Sequence, residues 1–561
     1  MVTFFKAKRI ETICFFLFLL LWGVMAVFHE PWYDEIQAWQ IARFSYWKDL
    51  FFSIPHYEGH PPLWHVFLAV PARLGVPFEW GFKLVGLLFS AVAAFLVFFK
   101  SPFPRWLRCT IPFTYFLCFQ YSVIIRPYAI MYVGFLLAAI TFAYKDEHPG
   151  WFVGSLALLT TVHAYGIVLC CGICLAWLWD IKNEYGSVTA FLKNSWRDKR
   201  LWWLAGLFVL ACTVIAAIWP KPDTFALNYV IQKTPLWNRL VYAFLMLPAD
   251  AFFSDAWGIK THSIENYYYL NVLIPTAFIG VVVWSCLVLL LPKKQFKYLW
   301  LPSVLFLLIV AFCYAYHHHI GIFVLLVLFS AWIARAQPGP SWWDELSPRL
   351  VPSTRNVLKK TFYVILFIAI GTGLVWTAAD MVADIRYPFS ASRDTAKFIK
   401  QHHLDRVPLF ASWTLVKKGE NEFFQEIFHV NGAMLPAYFG RNIISNLNDG
   451  VDHLAYSSHR WPTQEEIDTY FAKWRADGLP EILFGREGFS FLFPEVDFFK
   501  EYAPVYKVEG SVVWKMYLAP WRNITYLYMR RDVMDKYGLK EVENESIDSR
   551  IGHILIEDEM S

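Results

Sequence analysis

A chain of 561 residues that is 57% hydrophobic and 19% aromatic is too apolar for an ordinary soluble domain, and its mean hydropathy is +0.38. The formal charge of +4 is small for that length, and Lys and Arg gather in short connections such as Lys6 to Arg9, Lys100 to Arg108 and Lys293 to Lys297. That pattern orients membrane helices and excludes a nucleic-acid-binding stripe. All nine cysteines lie at or before Cys313, within apolar sequence, so no disulfide framework is offered.

The first apolar run, Ile13 to Phe28, follows Lys6, Lys8 and Arg9 and leads into His29, Glu30 and Pro31 without a small-residue cleavage pattern. It is expected to be an uncleaved span with its N-terminus in the cytoplasm. A polar, aromatic loop over 29–60 comes next, the expected first extracytoplasmic loop. Apolar segments follow near 62–76, 82–99, 109–125, 127–144, 151–180, 202–219, 268–292, 298–316, 318–335 and 361–379. The stretch 151–180, broken around His163 to Gly166, reads as two helices, giving about twelve spans, within 11–13.

Strict alternation would put Lys100, Arg105 and Arg108 outside, against the positive-inside rule, so one early segment is expected not to span fully. The region 233–262 reads as an interfacial helix, a re-entrant piece or a further span. From about Arg386 the composition becomes that of a soluble α/β domain. Ser392 to His403 and Thr463 to Ala476 read as helices, the second capped by Thr463 with Glu466 at capping-box spacing. Val407 to Ala411, Glu481 to Phe484, Val505 to Val508 and Val512 to Tyr517 read as strands, the last two turning at Glu509-Gly510. The expected architecture is a polytopic α-helical membrane domain over 1–380 and a soluble α/β domain over 386–561.

The loop after the first span opens with Pro31-Trp32-Tyr33-Asp34-Glu35 and continues as an amphipathic pattern through Ile36, Trp39, Phe44, Trp47 and Leu50, expected to be a helix in the membrane interface. Asp34 and Glu35 point about 100° apart on a helix, so they serve two partners more readily than one. An acidic first turn complements the helix dipole, and a carboxylate in a partly dry cleft also suits a general base. Both remain open. The loop closes with His56-Tyr57-Glu58-Gly59-His60-Pro61-Pro62-Leu63-Trp64-His65, which puts Glu58, His60 and His65 at one rim without firm metal-ligand spacing. Arg126, in apolar sequence, is a phosphate contact, a structural ion pair or a snorkelling side chain. Of His317-His318-His319, at most one or two can face one ligand.

An apolar first helix, Tyr-Asp-Glu in the first outer loop and Glu-Gly-His-Pro-Pro-Leu-Trp entering the next apolar segment together resemble the GT-C superfamily of membrane glycosyltransferases. The likeness is to its protein-mannosyltransferase and aminoarabinose-transferase-like branch. Arg126-Pro127-Tyr128-Ala129, His163-Ala164-Tyr165-Gly166 and Tyr387-Pro388-Phe389-Ser390 add to it. The resemblance implies inverting transfer of a sugar from a polyprenyl phosphate donor to an extracytoplasmic glycan, lipid or protein, at the plasma membrane. It implies Asp34 as base and Glu35 as a supporting acceptor or metal contact, with a divalent metal an open matter. Tyr33, Glu58, His60, Arg126, Tyr128, His163 and His318 are the candidate substrate-binding residues. A transporter or flippase for a lipid-linked saccharide, or a non-catalytic membrane assembly protein, fits the many helices as well, although no inverted repeat and no nucleotide motif is present.

Overall fold

The computed structural model describes residues 8–224, 235–253, 270–313, 317–412, 414–418, 422–426, 430–446, 463–486, 488–512 and 521–544. Among them seven helices are long and apolar enough to cross a membrane, and three shorter apolar helices pack with them. In chain order the longer helices are α1 (Arg9–Phe28), α2 (Tyr33–Phe44), α3 (Leu63–Arg73) and α4 (Phe78–Phe95), the last prolonged by a π turn over Leu96–Lys100. Then come α5 (Tyr128–Thr141), α6 (Pro149–Val162), α7 (Ala164–Glu184), α8 (Lys199–Ile218), α9 (Leu270–Leu290), α10 (Lys293–Phe312), α11 (His317–Ala336) and α12 (Pro352–Arg386). Large apolar side chains such as Phe16, Leu20, Leu88, Phe208, Phe278 and Phe367 stand exposed on these helices. In a soluble protein such a belt would be an aggregation hazard; on helices of this length it marks a membrane protein.

Ion pairs identify one end of the bundle. Lys8 donates to the Phe99 carbonyl at 2.7 Å, and Arg105 and Arg108 both pair with the buried Glu11, so the start of α1 lies beside the end of α4. Arg200 gathers Asp146, Glu184 and Asp198 where α5, α7 and α8 meet, and Lys297 pairs with Asp180. Phe103 against Trp332, the rings 6.1 Å apart, joins the two groups. At the other end His56 and Tyr57 meet the Trp219 carbonyl and Asp223, just past α8.

This arrangement corrects the span count. α3 has 11 residues and so rises only about 16 Å, roughly half of a hydrocarbon core. It packs on α2 and stays at the end opposite Lys8, so α1 and α4 are consecutive crossings and Lys100, Arg105 and Arg108 return to the side of Lys8. The conflict with the charge rule came from counting α3 as a span. The segment expected over 109–125 is also no regular helix: it runs from a 3-10 turn at Ile111–Phe113 into a π-helix at Phe116–Val123. The interfacial helix breaks at Ser45-Tyr46: Ile36 and Trp39 in its first part are fully buried within the protein, whereas Trp47 and Phe51 in its second part are exposed. Gly81 makes room for the Trp39 indole. The described part of the 233–262 region is helical with a π turn at Tyr242–Met246 and does not form a long span, while Asp255 lies outside the described residues.

Beyond α12 lie α13 (Ser392–Gln401), α14 (Val430–Phe439) and α15 (Gln464–Asp477), the last held at its start by the Thr463–Glu466 capping box. Strands β1 (Leu409–Ala411), β2 (Thr414–Lys418), β3 (Glu422–Glu426), β4 (Ile482–Phe484), β5 (Tyr502–Val512) and β6 (Trp521–Arg530) form two sheets. One has the order β1-β4-β6-β5, with β1 and β4 parallel and the rest antiparallel; the other is the β2-β3 hairpin. The turn expected at Glu509-Gly510 does not exist, since β5 runs through it in register with β6; residues 513–517 lie outside the described residues. Gly510 is there because the Phe389 carbonyl and the Ser390 backbone cross over it, and Ser511 donates to the Pro388 carbonyl at 2.7 Å.

Membrane-helix packing depends on small residues at close crossings. A Cβ at Gly172 would overlap the Pro302 backbone of α10, whereas one at Gly154 would meet nothing within 4 Å. Gly172→Ala is therefore expected to lower the thermal midpoint of the detergent-solubilised protein, at a cost of about 1–3 kcal/mol, and Gly154→Ala to leave it within about 0.5 kcal/mol. Equal midpoints for the two variants would refute the α7–α10 crossing.

Candidate functional site

The site starts from how α2 is capped. Trp32 occupies the cap position and has no side-chain acceptor to offer, so Glu35 supplies one: its Oε2 accepts the Trp32 N–H at 2.8 Å. Its Oε1 accepts the Ile125 N–H at 2.7 Å, immediately before the Arg126-Pro127 break. His29 Nε2 lies 3.3 Å from the same carboxylate, and His29 Nδ1 lies 2.9 Å from Asp384 near the end of α12. Glu35 is 1% exposed. Its oxygens accept from two backbone donors and meet an imidazole, so Glu35 braces α2 against the segment before α5.

With α2 pinned to Ile125, the neighbouring Asp34 faces Arg126, Oδ2 to Nη1 at 3.0 Å. The Asp34 side chain is 37% exposed and that of Arg126 only 13%, so the carboxylate is on the open side of the pair. Arg126 Nη1 is also 3.4 Å from His318 Nε2, and its guanidinium carbon is 5.6 Å from the centre of the Tyr128 ring.

Behind Arg126 the sequence candidates converge with partners that spacing did not single out. His163 ends α6 with an extended backbone and caps α7, its Nδ1 accepting the Tyr165 N–H at 3.2 Å while its Nε2 lies 3.3 Å from the Tyr128 hydroxyl. Gly166 permits this reversal, because a Cβ there would strike the Leu159 carbonyl. The His60 ring is 4.6 Å from that of His163. Tyr128 stacks on Tyr121 at 4.8 Å, and the Tyr121 hydroxyl donates to the His318 carbonyl at 2.6 Å. His319 sits 4.3 Å from His318 and 4.8 Å from Tyr165, so two successive residues of α11 face the same nest. The side chain of His317 lies outside the described residues. Gly321, one turn on, lets α11 approach Phe116 and Tyr121 closely enough for this.

The remaining candidates lie around this core. Glu58 accepts from Gln37 of α2 at 2.7 Å, which ties the loop end to the same helix. Tyr33 packs against both the membrane-domain core and the core of the C-terminal region. Among the described residues no three His, Cys, Asp or Glu side chains are grouped as ligands for one ion. Asp34 and Glu35 face separate partners and do not make a metal seat. An open apolar groove of about 500 Å³ lies elsewhere, lined by Phe15 of α1 and by Leu84, Leu88 and Phe95 of α4; it carries no polar side chain and suits lipid contact, not chemistry.

The C-terminal region closes over this end. Arg393 donates to the carbonyls of Val27 and His29 at 2.9 and 2.8 Å and pairs with Glu79 at 3.1 Å. Gln40 donates to the Ala433 carbonyl at 2.9 Å. No family model matches the chain, and neither a curated protein nor a solved structure matches it. The site must be interpreted from its own chemistry.

Burial alone would depress the His29 pKa, but the Asp384 and Glu35 carboxylates on either side outweigh it and push it up from 6.5 to about 10. A raised folded-state value means the bridge's stabilisation is complete below about pH 6.5 and lost as pH climbs through about 10. The thermal midpoint is expected to fall across that window in the wild type and to be flatter in His29→Gln. Glu35→Ala leaves the Ile125 N–H and His29 without their acceptor and is expected to cost about 3–5 kcal/mol. A Glu35→Ala midpoint equal to wild type would sink the bracing role.

Proposed function

We propose that this protein transfers a sugar from a polyprenyl-phosphate-linked donor to an acceptor glycan, lipid or protein, with inversion at the anomeric carbon. The observation that carries the proposal is the Asp34–Arg126 pair: a half-open carboxylate and a mostly buried guanidinium, side by side at the membrane end that the C-terminal region covers. Asp34 takes the proton from the acceptor hydroxyl or amine as that atom bonds the anomeric carbon. The sugar–phosphate C–O bond breaks on the opposite face, and its electron pair leaves with the phosphate. Arg126 meets the charge developing there. The His and Tyr rings of the nest supply hydrogen-bonding edges for a sugar and a wall behind the cation.

The membrane arrangement fits. Among the described residues, α1, α4, the irregular segment through Phe116–Val123, and α5 to α12, counted from the Lys8 end, make eleven segments, an odd number that favours a C-terminal region opposite the N-terminus. The basic cluster of Lys8, Lys100, Arg105 and Arg108 at one end supports, by the positive-inside rule, a cytoplasmic assignment for that end and an extracytoplasmic one for the end that holds Asp34. This topology supports a GT-C-like architecture with an outer α/β domain.

Transfer from a panel of radiolabelled polyprenyl-phosphate sugars is expected for wild type and to drop about 10²–10⁴-fold in Asp34→Asn. The partly exposed pair contributes little to stability, so the thermal midpoint should shift by no more than about 1 kcal/mol equivalent. Undiminished transfer by Asp34→Asn would move the base elsewhere, and silence with every donor would refute glycosyl transfer.

A further inference from the structure

One buried acid at the covered end takes no part in the Asp34–Arg126 pair or in the nest. Glu30, in the link between α1 and α2, is 4% exposed, and its neighbours His29 and Trp32 pack their rings against Phe389. Arg393, near the start of α13, turns its guanidinium to the Val27 and His29 carbonyls and to Glu79, and gives Glu30 its backbone N–H, 3.4 Å from Oε2. Among the described residues no ion pair reaches the Glu30 carboxylate. The contact between the membrane domain and the C-terminal region thus closes over a carboxylate and offers it one long hydrogen bond in place of its water.

We propose that Glu30 is a proton-operated catch between the two parts of the protein: uptake of one proton by its carboxylate closes the C-terminal region on the α1–α2 link, and loss of that proton loosens it. The neutral acid loses little by burial, whereas the anion forfeits water that it would regain if α13 lifted away. Closure therefore binds a proton, and by linkage a falling pH favours the closed form. The catch operates with or without sugar transfer. It stands next to His29, which lies against the bracing Glu35, so it governs the cover over the end that holds Asp34.

The charges around Glu30 leave burial in command. On α13, Arg393 and Lys397 favour the anion and Asp394 opposes it; on α4, Lys83 favours it too, while Glu79 holds Arg393 at 3.1 Å. Tyr438 of α14 and Tyr506 of β5 also face it, and burial raises both phenols above their usual range, so neither ionises near neutral pH. His29 in the same link stays protonated there. Burial, the largest influence, pushes the Glu30 carboxyl up from 4.5 to about 7. A value raised by closure means a contribution that is complete below about pH 4.5 and lost as pH climbs through about 7. The Gln40–Ala433 contact carries no titrating group, so that part of the junction is indifferent to the change.

Hydrogen–deuterium exchange tests the catch without donor or acceptor. The full chain in lipid nanodiscs is exchanged at about pH 5.5 and about pH 8, each rate is corrected for the intrinsic pH dependence of amide exchange, and protection of the α13 amides is compared. Wild-type protection is expected to fall roughly tenfold or more from the lower to the higher pH. Glu30→Gln, which cannot ionise, should keep the same protection at both. Asp394→Asn removes an exposed carboxylate that favours the neutral acid and should move the wild-type transition to lower pH, which decides the matter if Glu30→Gln does not fold. Equal wild-type protection at the two pH values overturns the catch. A fall that persists in Glu30→Gln assigns the response to His402 or His403 at the end of α13 and overturns it as well.

Discussion

The Glu35 carboxylate joins parts of the chain that have no other reason to meet. It accepts from the cap of its own helix, from Ile125 at the break before α5, and lies against His29, whose other nitrogen reaches Asp384 at a sequence separation of 355 residues. Removing a carboxylate from water is expensive unless its oxygens are met by donors, and this one is met by N–H groups that would themselves be orphaned without it. The cost of burial and the cost of three unsatisfied groups are settled together. Asp34 faces Arg126 because Glu35 is held where it is.

From that anchor the outer end is built of elements too short to cross. α2 and α3 lie one on the other, Trp39 filling the space left by Gly81, and α14 of the C-terminal region sits on α2. The nest below is aromatic, with Arg126 facing Tyr128 and His318. In such surroundings a single guanidinium exerts a stronger pull on an anion than it would at a wet surface.

Much of this was legible locally. The break at His163 separates α6 from α7 because the sequence interrupts an apolar run with His-Ala-Tyr-Gly, and the Thr463–Glu466 box starts α15 as its spacing says. The residues of the nest were named from Arg126, Tyr128, His60, His163 and His318, and the structure gathers these five together. What spacing could not carry was long-range pairing. His29 and Asp384 are unremarkable alone, and no local pattern tells that Glu35 reaches Ile125 and His29. α3 is as apolar as a span and differs only in where it stops, while Gly510 signals a turn when its purpose is clearance for a crossing strand connection. His319 was hidden by the argument that successive helix positions diverge, since the nest is broad enough to receive two of them.

The contact between His29 and Asp384 has a consequence for how the protein is made. A ribosome delivers His29 and Glu35 to the membrane long before Asp384 exists, and synthesis at about 5–20 residues per second makes that interval tens of seconds. Throughout it the early outer loop holds a buried-to-be acid and imidazole with their last partner missing. The bridge from Glu35 through His29 to Asp384 is therefore completed only once α12 has been made, and not as the first helices arrive. A chain stopped before α12 would carry its earlier helices and still lack the Asp384 partner of His29.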